Sequence, residues 1–256
     1  MKILYLTNGY PPDHTAGTEN YTAALAHAFA QAGHNVGVVC AGDWDTGSQP
    51  YNGRERAEHD GVTVDRLNLN WTRGPDPNGA LFDNPATAAV VAEILAEYQP
   101  DLVHLTSCYT LSASVIRAVA RSGRPLVVTL TDFWFLCPQV TLRRSDGALC
   151  DGHTTPEECL RCMLGPSWAY KRAAAALPEA VLAPALSWAS RHPAVSRRRG
   201  LRGMALDMAA RKATLLPLLE QAAATIAPSH ILADLYQSNG LRRGARVIPY
   251  GHDLRW

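Results

Sequence analysis

Lysine is nearly missing from this sequence: Lys2, Lys171 and Lys212 are the only ones in 256 residues, and arginine carries the remaining positive charge. Neither sign of charge is in excess, with 24 Lys and Arg against 23 Asp and Glu. A nucleic-acid binder uses a basic surplus to neutralise phosphates, so the composition speaks against that class. Long apolar runs are missing too. The N-terminal run in MKILYLTNGYPPD turns polar at Thr7, short of a signal-peptide core. The alanine-rich stretch 173–189 is broken by Pro178, Glu179 and Pro184 and falls below the roughly 20 apolar residues of a membrane span. These absences lead to the expectation of a soluble, cytoplasmic protein. The first loop, NGYPPDHTAG, also lacks the G-x-G-x-x-G spacing of a dinucleotide site and the signature of a P-loop.

What is present is an alternation of strand-length apolar runs and helical patterns. KILYLT, NVGVVCA, GVTVDRLNL, DLVHL and PLVVTLT read as strands. Between them, TENYTAALAHAFAQAGH repeats Tyr21, Leu25, Ala28 and Phe29 at helical spacing and stops at Gly33. NPATAAVVAEILAEY carries Pro85 near its start, and LSASVIRAVARSG reads as a helix opened by Ser112 or Ser114 and closed by Gly123. Residues 43–60 and 70–84, rich in Gly, Asp, Asn and Pro, read as loops. After a helical segment over 165–223, ATIAPS, ILADLYQSNG and RVIPYG restore the rhythm. Such alternation predicts an α/β fold with a doubly wound, Rossmann-like parallel sheet and right-handed crossovers. Ligands of such sheets sit at the carboxyl ends of the strands. The residues to watch are therefore those of loops 8–17, 106–109 and 131–137 and the neighbourhood of Ser229. Gly17, just before the first helix, would let backbone N–H groups approach an anion. Its plainer role is a tight turn.

Taken in order, several segments carry a family resemblance. MKILYLTNGYPPDHTAGTENYTAALAHAFAQAGHNVGVVCA, PDLVHL, IAPSHILADLYQSNG and RVIPYGHD resemble the strand, "yPP..GG.e" loop, "GHeV", "PDvVH", "apS" and "vipnGvD" segments of glycosyltransferase family 4, retaining enzymes of the GT-B fold. The resemblance implies a nucleotide-sugar donor, a glycan, lipid-linked or small-molecule acceptor, and no catalytic metal. It implies that residues 1–256 are the N-terminal, acceptor-side domain, inactive alone, with a donor-binding domain and its E-x7-E pair expected beyond Trp256. In the site, Ala16 and Gly17 would lie against the donor diphosphate or sugar, Ala16 replacing one of the two usual glycines. Glu19, Asn20, Ser107, Trp134 and Gly251 join them as candidate binding residues. The family commonly ends the strand before residue 132 in His-Asp. Here the pair is Thr131-Asp132, so a hydroxyl stands where an imidazole would carry a proton. Thr131, Asp132 and His104 are the candidate catalytic residues, with a turn cap as the plain role of Asp132 and a satisfied core position as that of His104.

Four of the six cysteines, Cys137, Cys150, Cys159 and Cys162, stand at C-x12-C-x8-C-x2-C in a polar, turn-rich segment. The spacing permits one structural zinc, and a subset of the family resembles this segment. Disulfides or free thiols and an iron–sulfur cluster remain open beside it. His153 is a substitute ligand, while Cys40 and Cys108 read as buried apolar residues. The basic knot Arg197, Arg198, Arg199 and Arg202 suggests peripheral contact with anionic lipid, against the plainer reading of a solvated turn. Two other function classes stand beside the transferase: another GT-B enzyme such as a sugar-nucleotide epimerase, and a non-catalytic zinc-stabilised binding domain.

Overall fold

The computed structural model describes residues 1–44, 46–77, 79–189 and 208–251. In chain order the elements are β1 (Lys2–Thr7), α1 (Gly17–Gln31), β2 (Asn35–Trp44), β3 (Tyr51–His59), β4 (Val62–Leu69), α2 (Pro85–Tyr98), β5 (Leu102–Leu105), α3 (Ser114–Arg121) and β6 (Leu126–Thr129). Then come α4 (Pro156–Leu164), α5 (Trp168–Ala176), α6 (Glu179–Ala189), α7 (Met208–Leu219), β7 (Ala224–Ala227), α8 (His230–Ser238) and β8 (Arg246–Val247). The strands form one sheet in the order β3-β4-β2-β1-β5-β6-β7-β8. Every neighbouring pair is parallel except β3 with β4. The expected doubly wound Rossmann-like sheet is present.

The antiparallel β3 corrects the expectation of a loop over 43–60. Its sequence, YNGRERAEH, alternates polar with polar and carries no apolar face, because it is an edge strand with little to bury. Charge holds it instead. Arg56 donates two hydrogen bonds to Asp65 of β4, at 2.8 and 2.9 Å, and Arg54 bridges to Glu97 of α2 at 3.0 Å. Asp60 and Gly61, both at positive φ, close the hairpin.

Two apolar layers flank the sheet. On one face Leu4, Leu6, Val39, Leu67, Val103 and Val128 pack with α2, α3, α7 and α8. On the other, Ile3, Tyr5, Val36, Val38 and Val64 pack with α1. Helix α2 shows why local signals sufficed there. Asn84 caps it by accepting from the Ala86 and Thr87 amides, and Pro85 fits the first turn. Thr87, Val90, Val91, Ile94 and Leu95 make its buried face, at roughly 1.5–3 kcal/mol for each large apolar side chain. Gln99 ends it in the left-handed region, just before Pro100.

Two helix expectations need correction. In α1 the buried residues are Glu19, Thr22 and Ala26, while Phe29 lies exposed. A polar stripe turns inward because the start of α1 meets the polar strand ends. In α3 neither serine caps; Ala113 is the N-cap. Ser112 and Ser114 hydrogen-bond each other at 2.6 Å, and both accept from the Asn84 amide, tying α3 to α2. The Arg197–Arg202 knot lies outside the described residues. Among the described residues, no helix is long and apolar enough to cross a membrane.

Candidate functional site

The strand order reverses between β1 and β5: the helix after β1 covers one face and the helix after β5 the other. A crevice opens at such a point beyond the carboxyl ends of the strands. Here it is walled by the loops after β1, β5 and β6. Arg66 of β4 pins the first loop, donating to the Pro11 carbonyl at 2.7 Å and pairing with Asp13 at 2.8 Å. Gly9 is needed in this loop, since a Cβ there would sit 2.7 Å from that of His14.

At the mouth, Glu19 is 5% exposed and accepts from Asn8 Nδ2 at 2.6 Å. The Asn8 carbonyl accepts from Thr110 at 2.9 Å, linking the β1 and β5 loops. Thr22 and Thr106 hydroxyls meet at 2.7 Å beneath them. Gly17 and Ala16 are exposed at the start of α1, and a Cβ on Gly17 would meet nothing within 4 Å. The space beside Gly17 at the first turn of this helix is therefore open. Asn20 is exposed and donates to the Thr15 carbonyl at 2.8 Å. Ser107 is buried, its hydroxyl accepting from the Tyr109 amide at 3.3 Å.

Asp132 hangs from the end of β6 into the same mouth. Its carboxylate accepts from the Trp134 amide at 2.8 Å, the turn-cap role read from the sequence, and its carbonyl accepts from the Tyr236 hydroxyl at 3.0 Å. Burial pushes its pKa up, with Glu19 adding to the rise, while the Trp134 amide and Arg211 oppose it. Thr131 donates to the Thr106 carbonyl at 2.8 Å, so its hydroxyl proton is already placed. Tyr250 packs on Tyr21 with ring centroids 4.5 Å apart and brings exposed Gly251 beside α1. His104 sits apart from the mouth, within β5. Its Nε2 lies 2.8 Å from Thr129 Oγ1, its ring faces Tyr5, and burial lowers its pKa to about 4. It is a neutral, satisfied core residue at physiological pH.

Beside the mouth, on the α2–α3 face, runs a cleft lined by Trp44, Trp71, Phe82, Tyr109, Trp134 and Arg211, among others. Sequence reading singled out only Trp134 of these. The others come from the end of β2 (Trp44), the β4–α2 segment (Trp71, Phe82), the β5–α3 loop (Tyr109) and α7 (Arg211), and nothing in their local sequence marks them. Asn8 was likewise missed, though it lies in the loop that directed attention here.

The four cysteines line one small open pocket. Two of the sulfurs meet different groups: Cys162 accepts from Gln139 Nε2 at 3.2 Å, and Cys159 lies 3.0 Å from Thr154 Oγ1. Among the described residues, no group of three or more His, Cys, Asp or Glu is placed to hold a metal ion. The structural zinc expected at Cys137, Cys150, Cys159 and Cys162 is thus not supported. A tetrahedral zinc needs four donors about 2.3 Å from one point, and the described residues assemble no such group. None of the six cysteines is in a disulfide, and His153 is exposed. The loop is ordered by other means. Thr155 and Glu158 form a capping box on α4, and Leu160 packs with Leu182 and Leu186. Lys212 of α7 donates to the Thr154 and Gly152 carbonyls. Cys40 and Cys108 are buried, as expected, with burial raising both thiol pKa values.

No curated protein matches the chain. Among solved structures it is similar to sucrose-phosphate synthase from Thermosynechococcus elongatus, at 14% identity over 99% of this chain and 49% of that one, with a TM-score of 0.49. It is also similar to α,α-trehalose 6-phosphate synthase from Burkholderia multivorans, at 11% identity over 97% and 47%, with a TM-score of 0.47. The chain thus spans about half the length of these proteins. The family model described as "Glycosyl transferase 4-like domain" matches residues 16–251, from the start of α1 to the glycine after β8. The chain belongs to the glycosyl transferase 4-like domain family.

Proposed function

We propose that residues 1–256 form the acceptor-side domain of a retaining glycosyltransferase, which moves a sugar from a nucleotide-sugar donor to a glycan, lipid-linked or small-molecule acceptor. The observation that carries this reading is the convergence, at one switch point, of an unobstructed helix start at Gly17 with the carboxylates of Glu19 and Asp132. The first-turn amides of α1 suit a diphosphate, by their unpaired N–H groups and the helix dipole. Asp132, partly desolvated, accepts a hydrogen bond from the acceptor hydroxyl and orients it. Glu19, held by Asn8, does the same for a sugar hydroxyl. Thr131 positions the β6 loop. The acceptor proton passes to the leaving phosphate, so the protein supplies placement and electrostatic stabilisation in place of a strong base. No step calls for a metal. The donor's nucleotide rests on a second domain.

The test is release of nucleoside diphosphate by the full-length protein from a panel of UDP-, GDP- and ADP-sugars, each with glycan, lipid-linked and small-molecule acceptors present. Release from at least one donor, reduced in Asp132→Asn, supports the reading. No release from any donor, with the protein folded, removes it.

A further inference from the structure

Arg211 of α7 stands in the wall of the aromatic cleft beside the mouth and is 3% exposed. Its guanidinium lies over the Trp134 ring at 5.3 Å and donates to the Trp134 carbonyl. Among the described residues no carboxylate stands within ion-pair distance of it. A buried cation without a paired anion is costly, and one carbonyl with an indole face offsets only part of that cost. A methionine would fill the same space with no charge to bury. Packing therefore gives no reason for a guanidinium here.

A reason lies in the turn that Trp134 belongs to. The Trp134 amide donates to the Asp132 carboxylate at 2.8 Å, so one residue is held by Arg211 at its carbonyl and holds Asp132 by its amide. The Leu136 and Cys137 amides close the turn, donating to the Phe133 carbonyl at 2.9 and 2.7 Å. Among the described residues, the titratable groups that act on Asp132 are Glu19 of α1, Cys108 after β5, Arg211 of α7, Tyr236 of α8 and Tyr250 after β8. Burial raises the pKa of the thiol and of both phenols, which leaves them neutral at physiological pH. Arg211 is the one cation of this set. Burial lowers its pKa to about 10, so it stays charged at neutral pH. Its charge opposes both the burial of Asp132 and the repulsion from Glu19.

Resting on the reading of the mouth as a transfer site, we infer that Arg211 is the positioning residue of Asp132. Its hydrogen bond fixes the Asp132–Trp134 turn, and its charge keeps the carboxylate ionised where the acceptor hydroxyl binds. It acts through Asp132 and needs no contact with donor or acceptor. The link joins residues 77 apart in the chain, Arg211 and Trp134, so no local pattern announces it.

The test is the pH dependence of turnover by the full-length protein, with the donor and acceptor on which the wild type acts. Wild-type turnover should fall on the acid side as Asp132 is protonated, and that limb should be absent from Asp132→Asn. Arg211→Met should lower kcat by about 10²-fold with KM changed far less, and move the acid limb up by about one pH unit or more. Arg211→Gln keeps a donor for the Trp134 carbonyl without the charge, and should show the same shift with a smaller loss of rate. Arg211→Lys keeps the charge and should return the limb to its wild-type position. The rate losses of Arg211→Met and Asp132→Asn should not add in the double variant, since both act on one group. No Asp132-dependent limb in the wild type, an unmoved limb in the Met and Gln variants, or additive losses would overturn the inference. So would a collapse of the melting temperature in all three Arg211 variants, which would assign the residue to the fold. Release of nucleoside diphosphate by the wild type tests the transfer reading separately: release with an unmoved limb sinks this inference alone.

Discussion

Gly17 separates a ligand's demand from the fold's demand better than any other position. It is the first residue of α1, its φ is not positive, and a Cβ built on it meets nothing within 4 Å. Nothing in the folded chain therefore requires glycine there. By helix propensity alone Gly17→Ala should be neutral or stabilise by up to about 1 kcal/mol, less than the full value because the site is at a helix end. If a diphosphate approaches the α1 amides, the same methyl group stands in its path. Loss of one well-placed contact of this kind typically costs about 10²-fold in rate, or about 3 kcal/mol of transition-state stabilisation. The experiment pairs a thermal melt of this chain with nucleotide release by the full-length variant. An unchanged or slightly raised melting temperature with turnover down about 10²-fold is the expected result. Unchanged turnover would mean that the open space at Gly17 is not where the donor lies. A parallel fall in both would mean that the glycine serves the fold.

Three further outcomes follow from the same structure. Burial raises the Asp132 pKa, so its carboxylate costs stability at neutral pH and that cost fades as pH falls toward its titration; Asp132→Asn, which can still accept from the Trp134 amide, should raise the melting temperature at pH 7 while lowering turnover. His104 behaves oppositely: with its pKa lowered from 6.5 to about 4, its contribution is full above about pH 6.5 and is lost as pH falls toward 4. Relative to His104→Gln, the wild-type chain should lose on the order of 3 kcal/mol across that window in denaturant titrations, and identical pH dependence in the two would show that the ring is not buried neutral. Lys212→Met removes the donor that holds the Gly152 and Thr154 carbonyls, and should speed amide exchange across residues 150–158 while leaving β1 and β5 protected.

Much of the sheet was legible because its signals are local. Apolar runs such as LVVT need only their own residues to declare a buried parallel strand, and Asn84-Pro85 declares a helix start by its own chemistry. The loops at the carboxyl ends of the strands were legible for a related reason: a doubly wound sheet gathers them on one side, so loops 8–17, 106–109 and 131–137 could be named by position, while Thr131 and Asp132 within them came from the family resemblance. Other features depend on residues far apart in the chain. Strand β3 has no apolar pattern of its own and exists because Asp65 and Glu97 answer its arginines. The inward face of α1 is set by the polar strand ends that receive Glu19 and Thr22, not by Tyr21 and Phe29. His104 stands within β5 rather than at its end, which fixes it as a partner of Thr129. The cysteines show the limit most plainly, because ligand spacing constrains the chain between two donors but not the direction in which each thiol points. The aromatic cleft is assembled from the ends of β2, β4, β5 and β6 and from α7, and a single β-bulge decides that Trp44 faces it. Such a surface is a property of packing, since only the assembled sheet and its helices bring those residues to one cleft.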